Sequence, residues 1–300
     1  MLHEEGKAAE STSYMWVYLS GNDGLAPIIL YEYQAGRHGE HPKHFLEGFS
    51  GMLHCDGYTG YNSVENVTLV CCLAHCRRKF FEAVPRAWKK HMKLLDINSA
   101  EGIKEPVIPA DDGITPPAVI GVAYCNMLFF KERMLKDLSV EERKSCRLET
   151  EVPVWGKFWE WISRLHPVGG SKLEKAVNYA INHHETLENY LLDGRCEISN
   201  NRAERRCKSY AIGRKNSLFH NSTAGAEASA VIYSIVETAK ANGLNVCQYL
   251  YMVLLYMPDY KDEPAGIEAL LPWSDFIKGH CTGLTDMETI TPENHEKLPI

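Results

Sequence analysis

Asp56 and Glu204 are the residues of this chain whose type and setting best suit chemistry. Asp56 closes the apolar run Gly51-Met-Leu-His-Cys55 and is followed by Gly57. A carboxylate at the C-terminal end of a strand stands where open α/β sheets place their ligands. A glycine next to it lets the backbone approach a metal or a phosphate. The same Asp-Gly pair also makes an ordinary turn. Glu204 opens a helical run among Arg202, Arg205, Arg206 and Lys208. Asn201-x-x-Glu204 resembles a capping box, which accounts for the glutamate. It does not account for four like charges within about two turns, which repel one another. Phosphate would neutralise them. Two carboxylates on rigid elements can hold Mg²⁺, or Mn²⁺, for phosphoryl transfer, and a third is required to complete such a site.

The net charge of −7 argues against a nucleic-acid partner until it is divided along the chain. Residues 1–74 and 258–300 each carry a net −6, whereas residues 75–257 carry +5. The positive charge forms two patches. One is Arg77-Arg78-Lys79 with Arg86, Lys89, Lys90 and Lys93; the other is Arg202, Arg205, Arg206, Lys208, Arg214 and Lys215. Phosphate contacts are local, so such patches work on an acidic protein, although a solvated helix face explains the first equally well. Arg214 and Lys215 follow Gly213, read here as a flexible point, and could grip a DNA backbone.

With 45% hydrophobic and 24% charged residues the composition is that of a soluble globular protein. No apolar run reaches the roughly 18 residues of a membrane span. Ten scattered cysteines without a framework point to a reducing cytoplasm. Cys72-x-x-His75 is half of a zinc site without a matching second pair, and reads first as a buried strand cysteine and a histidine near a helix start. His183-His184 reads as surface or packing residues.

The elements that must position these groups alternate at first. Tyr14–Leu19 and Ile28–Tyr33 flank Asn22-Asp-Gly24 as an antiparallel hairpin. A short helix spans His41–Phe49, strands follow at Gly51–Cys55 and Val67–Cys72, and a helix starts near His75. Lys93–Pro117 reads as a proline-rich loop. Three helical stretches follow, at Ala118–Leu148, Trp155–Leu165 and Lys172–Leu192. Further helices cover Ala224–Asn242 and Val246–Tyr256, and a polar, acidic, mobile tail follows Trp273.

Together these stretches resemble the insertion-sequence-66 family of transposases. The resemblance is carried by Asp56-Gly-Tyr-x-Gly-Tyr-Asn62, Cys72-x-Ala-His-x-Arg-Arg-Lys-Phe80, Asn200-Asn-x-Ala-Glu-Arg205 and Gly213-Arg-Lys-Asn216. The stretch from Tyr233 to Leu271-Pro-Trp273 resembles the family's short terminal module. The resemblance implies an α/β, ribonuclease-H-like core with an Asp, Asp, Glu metal triad and a large α-helical insertion before the Glu. Asp56 then matches the second Asp and Glu204 the Glu, both as catalytic residues and as Mg²⁺ or Mn²⁺ ligands. Arg77, Arg78, Lys79, Arg202, Arg205, Arg206, Arg214 and Lys215 become the DNA contacts. The domain order implied is a core at 1–91, a helical insertion at 92–192, a core helix region at 193–230, a C-terminal helical module at 231–273 and a tail at 274–300. The activity implied is DNA strand cleavage and transfer at element ends and target, with oligomers or companion transposition proteins, on cytoplasmic nucleoid DNA and away from membranes.

Two departures from the family pattern shape the expectation. The first Asp of the triad belongs to an Asp-Glu-Thr before the Tyr14 strand, and Met1 begins after that point; Glu4, Glu5 and Glu10 have no apolar strand around them. The residue before Asn200 is Ser199 where the family usually has Asp. The expectation is therefore a chain truncated at its start and catalytically impaired alone. A non-catalytic DNA-binding or regulatory transposase relic is the alternative, and a zinc-stabilised structural module on Cys72 and His75 is a third reading.

Overall fold

A computed structural model describes residues 12–92, 105–216, 220–260 and 264–283. In chain order the strands and helices are β1 (Tyr14–Leu19), β2 (Ile29–Gln34), α1 (Glu40–Phe45), β3 (Gly51–Cys55), β4 (Val67–Cys71), α2 (Leu73–Ala83), α3 (Arg86–Met92), α4 (Pro117–Met134), α5 (Val140–Thr150), α6 (Val152–Ser163), α7 (Lys172–Asn182), α8 (His184–Glu188), α9 (Asn201–Asn216), α10 (Thr223–Ala241), α11 (Val246–Tyr256) and α12 (Asp275–His280). The protein is mixed α/β and mostly helical. Its chain divides into two compact units, a discontinuous one of Met1–Arg37 with Ala203–Ile300, and an inserted one of His38–Arg202. No described helix is long and apolar enough to cross a membrane.

The inserted unit is built on β3 and β4, which pair in parallel with Gly51 opposite Val67 and Cys55 opposite Cys71. Both strands lie where the apolar runs place them. Helices cover the pair, and the core joins Val70, Leu73 and Phe80 to Leu128, Trp155, Phe158 and Trp161. The rings meet edge-on or tilted, as Phe80 with Phe158 and Tyr124 with Phe158 do, an arrangement favoured by the ring quadrupole. Gly121 lets α4 reach this cluster, because a Cβ there would stand 2.4 Å from the Phe80 ring.

The single helix expected over Ala118–Leu148 is two. Leu135 ends α4, and Ser139 starts α5 with a capping box in which Ser139 and Glu142 satisfy each other's backbone N–H. The break lets α5 fold back so that Arg147, wholly buried, reaches Glu132 on α4. The helix expected over Lys172–Leu192 is also interrupted: α7 ends at Asn182, His183 closes it, and α8 is followed by a 3-10 turn at Asn189–Leu192. Part of the loop expected at Lys93–Pro117 lies outside the described residues; residues 105–116 form no helix or strand.

In the discontinuous unit β1 and β2 form the expected antiparallel hairpin, with Leu19 opposite Ile29 and Tyr14 opposite Gln34. The outer edge of β2 is taken by side chains of α10. The Ile29 amide donates to Thr238 Oγ1 at 3.0 Å, and that hydroxyl donates to the Ile29 carbonyl at 2.9 Å. The Tyr31 amide donates to Ser234 Oγ at 2.8 Å, and Asn242 Nδ2 donates to the Pro27 carbonyl at 2.9 Å. An edge strand whose donors are satisfied this way no longer invites a partner. A second cluster gathers Ala239, Leu244, Tyr249, Met252, Leu270, Ile277 and Cys281. Part of the stretch expected as a polar tail is thus structured: Ser274 caps α12, and Ile277 and Cys281 are fully buried. Their apolar side chains lie between the acidic residues that made the stretch look like solvent-exposed chain.

Candidate functional site

Asp56 follows the last residue of β3 and is half-buried. Its Oδ1 accepts the Tyr58 amide at 3.0 Å, forming an Asx turn. Gly57 has φ +84°, so the turn needs a glycine for its backbone. It needs one for space too, since a Cβ would lie 2.9 Å from Tyr179 Oη and 3.0 Å from His183 Nε2. Tyr179 donates to the Asp56 carbonyl at 3.2 Å. Burial, and then the nearby Cys71 sulfur, push the Tyr179 hydroxyl's titration upward, so it stays a donor.

Behind the turn lies a sulfur–imidazole cluster. Cys55 Sγ and Cys71 Sγ are 3.8 Å apart, and Cys71 Sγ is 3.5 Å from His183 Nδ1. The hydrogen bond with Cys55 draws the Cys71 thiol downward and its own partner upward. The Cys71 contact raises the His183 imidazole against the opposing effect of burial. His183, expected as a surface or packing residue, therefore braces the Asp56 turn from the end of α7.

The chain that leads into α9 is anchored at the same end of the parallel pair. The Leu73 amide donates to the Ile198 carbonyl at 3.0 Å, and the Asn200 amide to Cys72 Sγ at 3.4 Å. Cys72 and Leu73 directly follow β4, as Asp56 directly follows β3. Cys72 is thus a buried residue flanking the helix that carries His75 in its first turn. The segment entering Glu197 is held by Arg147, which donates to the carbonyls of Tyr190 and Asp193 at 2.9 Å and of Cys196 at 2.7 Å. A cleft of about 240 Å³ opens beside it, lined by Glu132, Arg133, Arg143, Glu197, Ser199 and Asn201 among others. Arg133 and Arg143 were not singled out by the sequence, because the fold that brings them to one cleft depends on the break between α4 and α5.

Glu204 lies in the first turn of α9 and is half-buried. It belongs to the discontinuous unit and Asp56 to the inserted one. The basic residues divide by role. Arg205, Arg214 and Lys215 are exposed on α9, as Arg78 and Lys79 are on α2. Arg77 instead donates to Asn126 Oδ1 at 2.6 Å, Arg202 pairs with Glu197 at 3.1 Å, and Arg206 pairs with the buried Glu237 at 2.9 Å. Gly213 is no hinge. It sits inside α9, and a Cβ on it would stand 1.6 Å from Tyr233 Oη of α10. Lys93, Glu4, Glu5 and Glu10 lie outside the described residues.

Among the described residues no group of three or more His, Cys, Asp or Glu side chains stands where it could hold a metal ion. The described residues therefore do not make a complete centre for the Mg²⁺ or Mn²⁺ that the resemblance implies.

Comparison with known proteins agrees with the residues. The model of the "Transposase IS66 family" matches residues 1–228, and that of the "IS66 C-terminal element" matches residues 234–273. The chain is 31% identical over 277 residues to Uncharacterized protein y4hP of Sinorhizobium fredii, covering 88% of this chain and 47% of that protein. It is 28% identical over 286 residues to Uncharacterized protein y4qI of the same organism, covering 90% and 48%. The chain thus spans about half the length of the curated relatives it matches. No solved structure matches it. Both family models in their chain order, together covering most of its length, establish that the chain belongs to the IS66 family of transposases.

Proposed function

We propose that this chain takes part in DNA transposition as a portion of the strand-cleaving and strand-joining machinery, with Asp56 and Glu204 as its catalytic carboxylates. The observation that carries this reading is the anchoring of residues 198–200 to the end of β4, beside the strand end that bears Asp56. It sets residues 198–200 at the carboxyl end of the parallel pair, where such sheets act. We read the strands as parts of a ribonuclease-H-like core, and the helices between Asp56 and Glu204 as its insertion. Exposed Arg78, Lys79, Arg205, Arg214 and Lys215 serve as contacts to the DNA backbone, which needs charge without base recognition. Element ends and target DNA are the partners, with further copies or companion proteins, on nucleoid DNA in the cytoplasm.

Because only two carboxylates of the implied triad are assigned, the chain by itself is catalytically impaired in this reading. The test is cleavage and joining of element-end DNA by the purified chain with Mg²⁺ or Mn²⁺. The expected result is DNA binding with little or no strand transfer. Robust activity abolished by Asp56→Ala would overturn the impairment and keep the site. Activity untouched by both Asp56→Ala and Glu204→Ala would remove the site.

The exposed cations of α9 also favour a second reading, a DNA-binding regulator that acts without catalysis. It predicts salt-dependent binding that survives Glu204→Ala and weakens when Arg205 is neutralised. Binding that shows no salt dependence removes this reading.

A further inference from the structure

The inserted unit carries a thiol pair that transposition chemistry does not use. Cys55 and Cys71 stand directly opposite each other in the parallel ladder. Neighbouring strands run about 4.8 Å apart, within the Cα separation of about 4.4–6.8 Å that a disulfide spans. Their sulfurs are 3.8 Å apart, and both side chains are buried, so only a small oxidant reaches them. The Cys71 sulfur also meets His183 Nδ1, which orients it and favours its nucleophilic form. The opposite edge of the same imidazole bounds Gly57, next to Asp56. The pair therefore has a nearby sulfur to link to, a group to activate it and a mechanical connection to the Asp56 turn.

We propose that Cys55 and Cys71 form a redox-sensitive pair that a small hydroperoxide closes to a disulfide, releasing His183 and loosening the turn that carries Asp56. The Cys71 sulfur attacks one peroxide oxygen and becomes a sulfenic acid, and the other oxygen leaves as water with the thiol proton. The Cys55 sulfur then displaces the sulfenic hydroxyl, which takes the Cys55 proton and leaves as a second water. Two thiols lose two electrons together, and one hydrogen peroxide becomes two waters. Once both sulfurs are bonded to each other, Cys71 no longer offers a thiol to His183, and the brace behind Gly57 is lost.

The full chain is treated with hydrogen peroxide, the remaining thiols are alkylated in denaturant, and the peptides are mapped by mass spectrometry with and without reductant. The expected result is a reducible Cys55–Cys71 linkage, joint loss of alkylation at both sites, and faster amide exchange at Tyr58 in the oxidised chain. Cys55→Ser removes the linkage. A disulfide between other cysteines while Cys55 and Cys71 stay alkylatable would overturn the proposal, as would over-oxidation of Cys71 without linkage. If the Cys55→Ser chain does not fold, the wild-type map decides alone. Unchanged exchange at Tyr58 in a linked chain overturns the connection to Asp56.

Discussion

The guanidinium of Arg147 meets both carboxylate oxygens of Glu132, at 2.6 and 2.8 Å, with no part of its own side chain exposed. Burial opposes the charge of Arg147, but the hydrogen bond and charge of Glu132 outweigh it and hold the group cationic. The remaining donors take three carbonyls of the segment entering Glu197. Replacing Arg147 by Ala leaves a partly buried carboxylate and three carbonyls without their donor. The expected loss is about 3–5 kcal/mol of stability, read by chemical denaturation. A change below about 1 kcal/mol would show that water replaces the guanidinium without cost.

Glu151 adds a pH dependence to this cluster. It is fully buried, bonds Tyr190 Oη, and is pushed up to about 9 by burial first and by the Glu132 charge second. Unfolded, a glutamate titrates near about 4.3. Between these values the folded chain holds a proton that the unfolded chain releases. Stability is therefore fully present below about pH 4 and is lost as pH rises toward 9, by at most about 1.4 kcal/mol per pH unit. Denaturation midpoints measured from pH 5 to 9 should fall in the wild type and flatten in Glu151→Gln. The same slope in both proteins would assign the effect elsewhere.

Gly213 and Tyr233 give a prediction of unusual sign. Gly to Ala inside an exposed helix stabilises by about 1 kcal/mol. Here the added methyl meets Tyr233 Oη, so Gly213→Ala should destabilise by about 1–3 kcal/mol, with partial recovery in the double variant with Tyr233→Phe. A stabilised single variant would show that Tyr233 yields to the added methyl without cost.

Arg205 and Arg206 are neighbours with different work. Arg206→Ala deprives the buried Glu237 of one of its two cationic partners, Lys240 being the other, and should cost about 1–3 kcal/mol of stability. Arg205→Ala should leave the melting temperature unchanged and lower the salt slope of DNA binding by about 0.9 for each phosphate that the arginine neutralises. A reversed pattern would mean that Arg206, not Arg205, faces DNA.

Local signals made much of this fold readable. The aromatic and branched runs placed β1 and β2, and the apolar run ending at Asp56 placed β3 to the residue. The break between α4 and α5 had a signal, Ser139-x-x-Glu142, hidden where no Gly or Pro stands beside it. Arg147 was not readable as a core residue. Its burial depends on a partner 15 residues earlier and on a helix reversal, and nothing in the run from Val140 to Thr150 looks apolar enough to be inside. The adjacency of Cys55 and Cys71 likewise depends on strand register. Motif residues found by type were sorted only by the structure, which ties Arg77, Arg202 and Arg206 to protein partners and leaves Arg205 exposed.

The hydroxyl of Thr238 that closes the edge of β2 lies 209 residues after the amide it serves. During synthesis at about 5–20 residues per second, the hairpin waits roughly 10–40 s for that helix to leave the ribosome. The inserted unit, complete by Arg202, has all of its own chain well before then. The order of emergence thus favours an inserted unit that folds first, with β1 and β2 secured only after it.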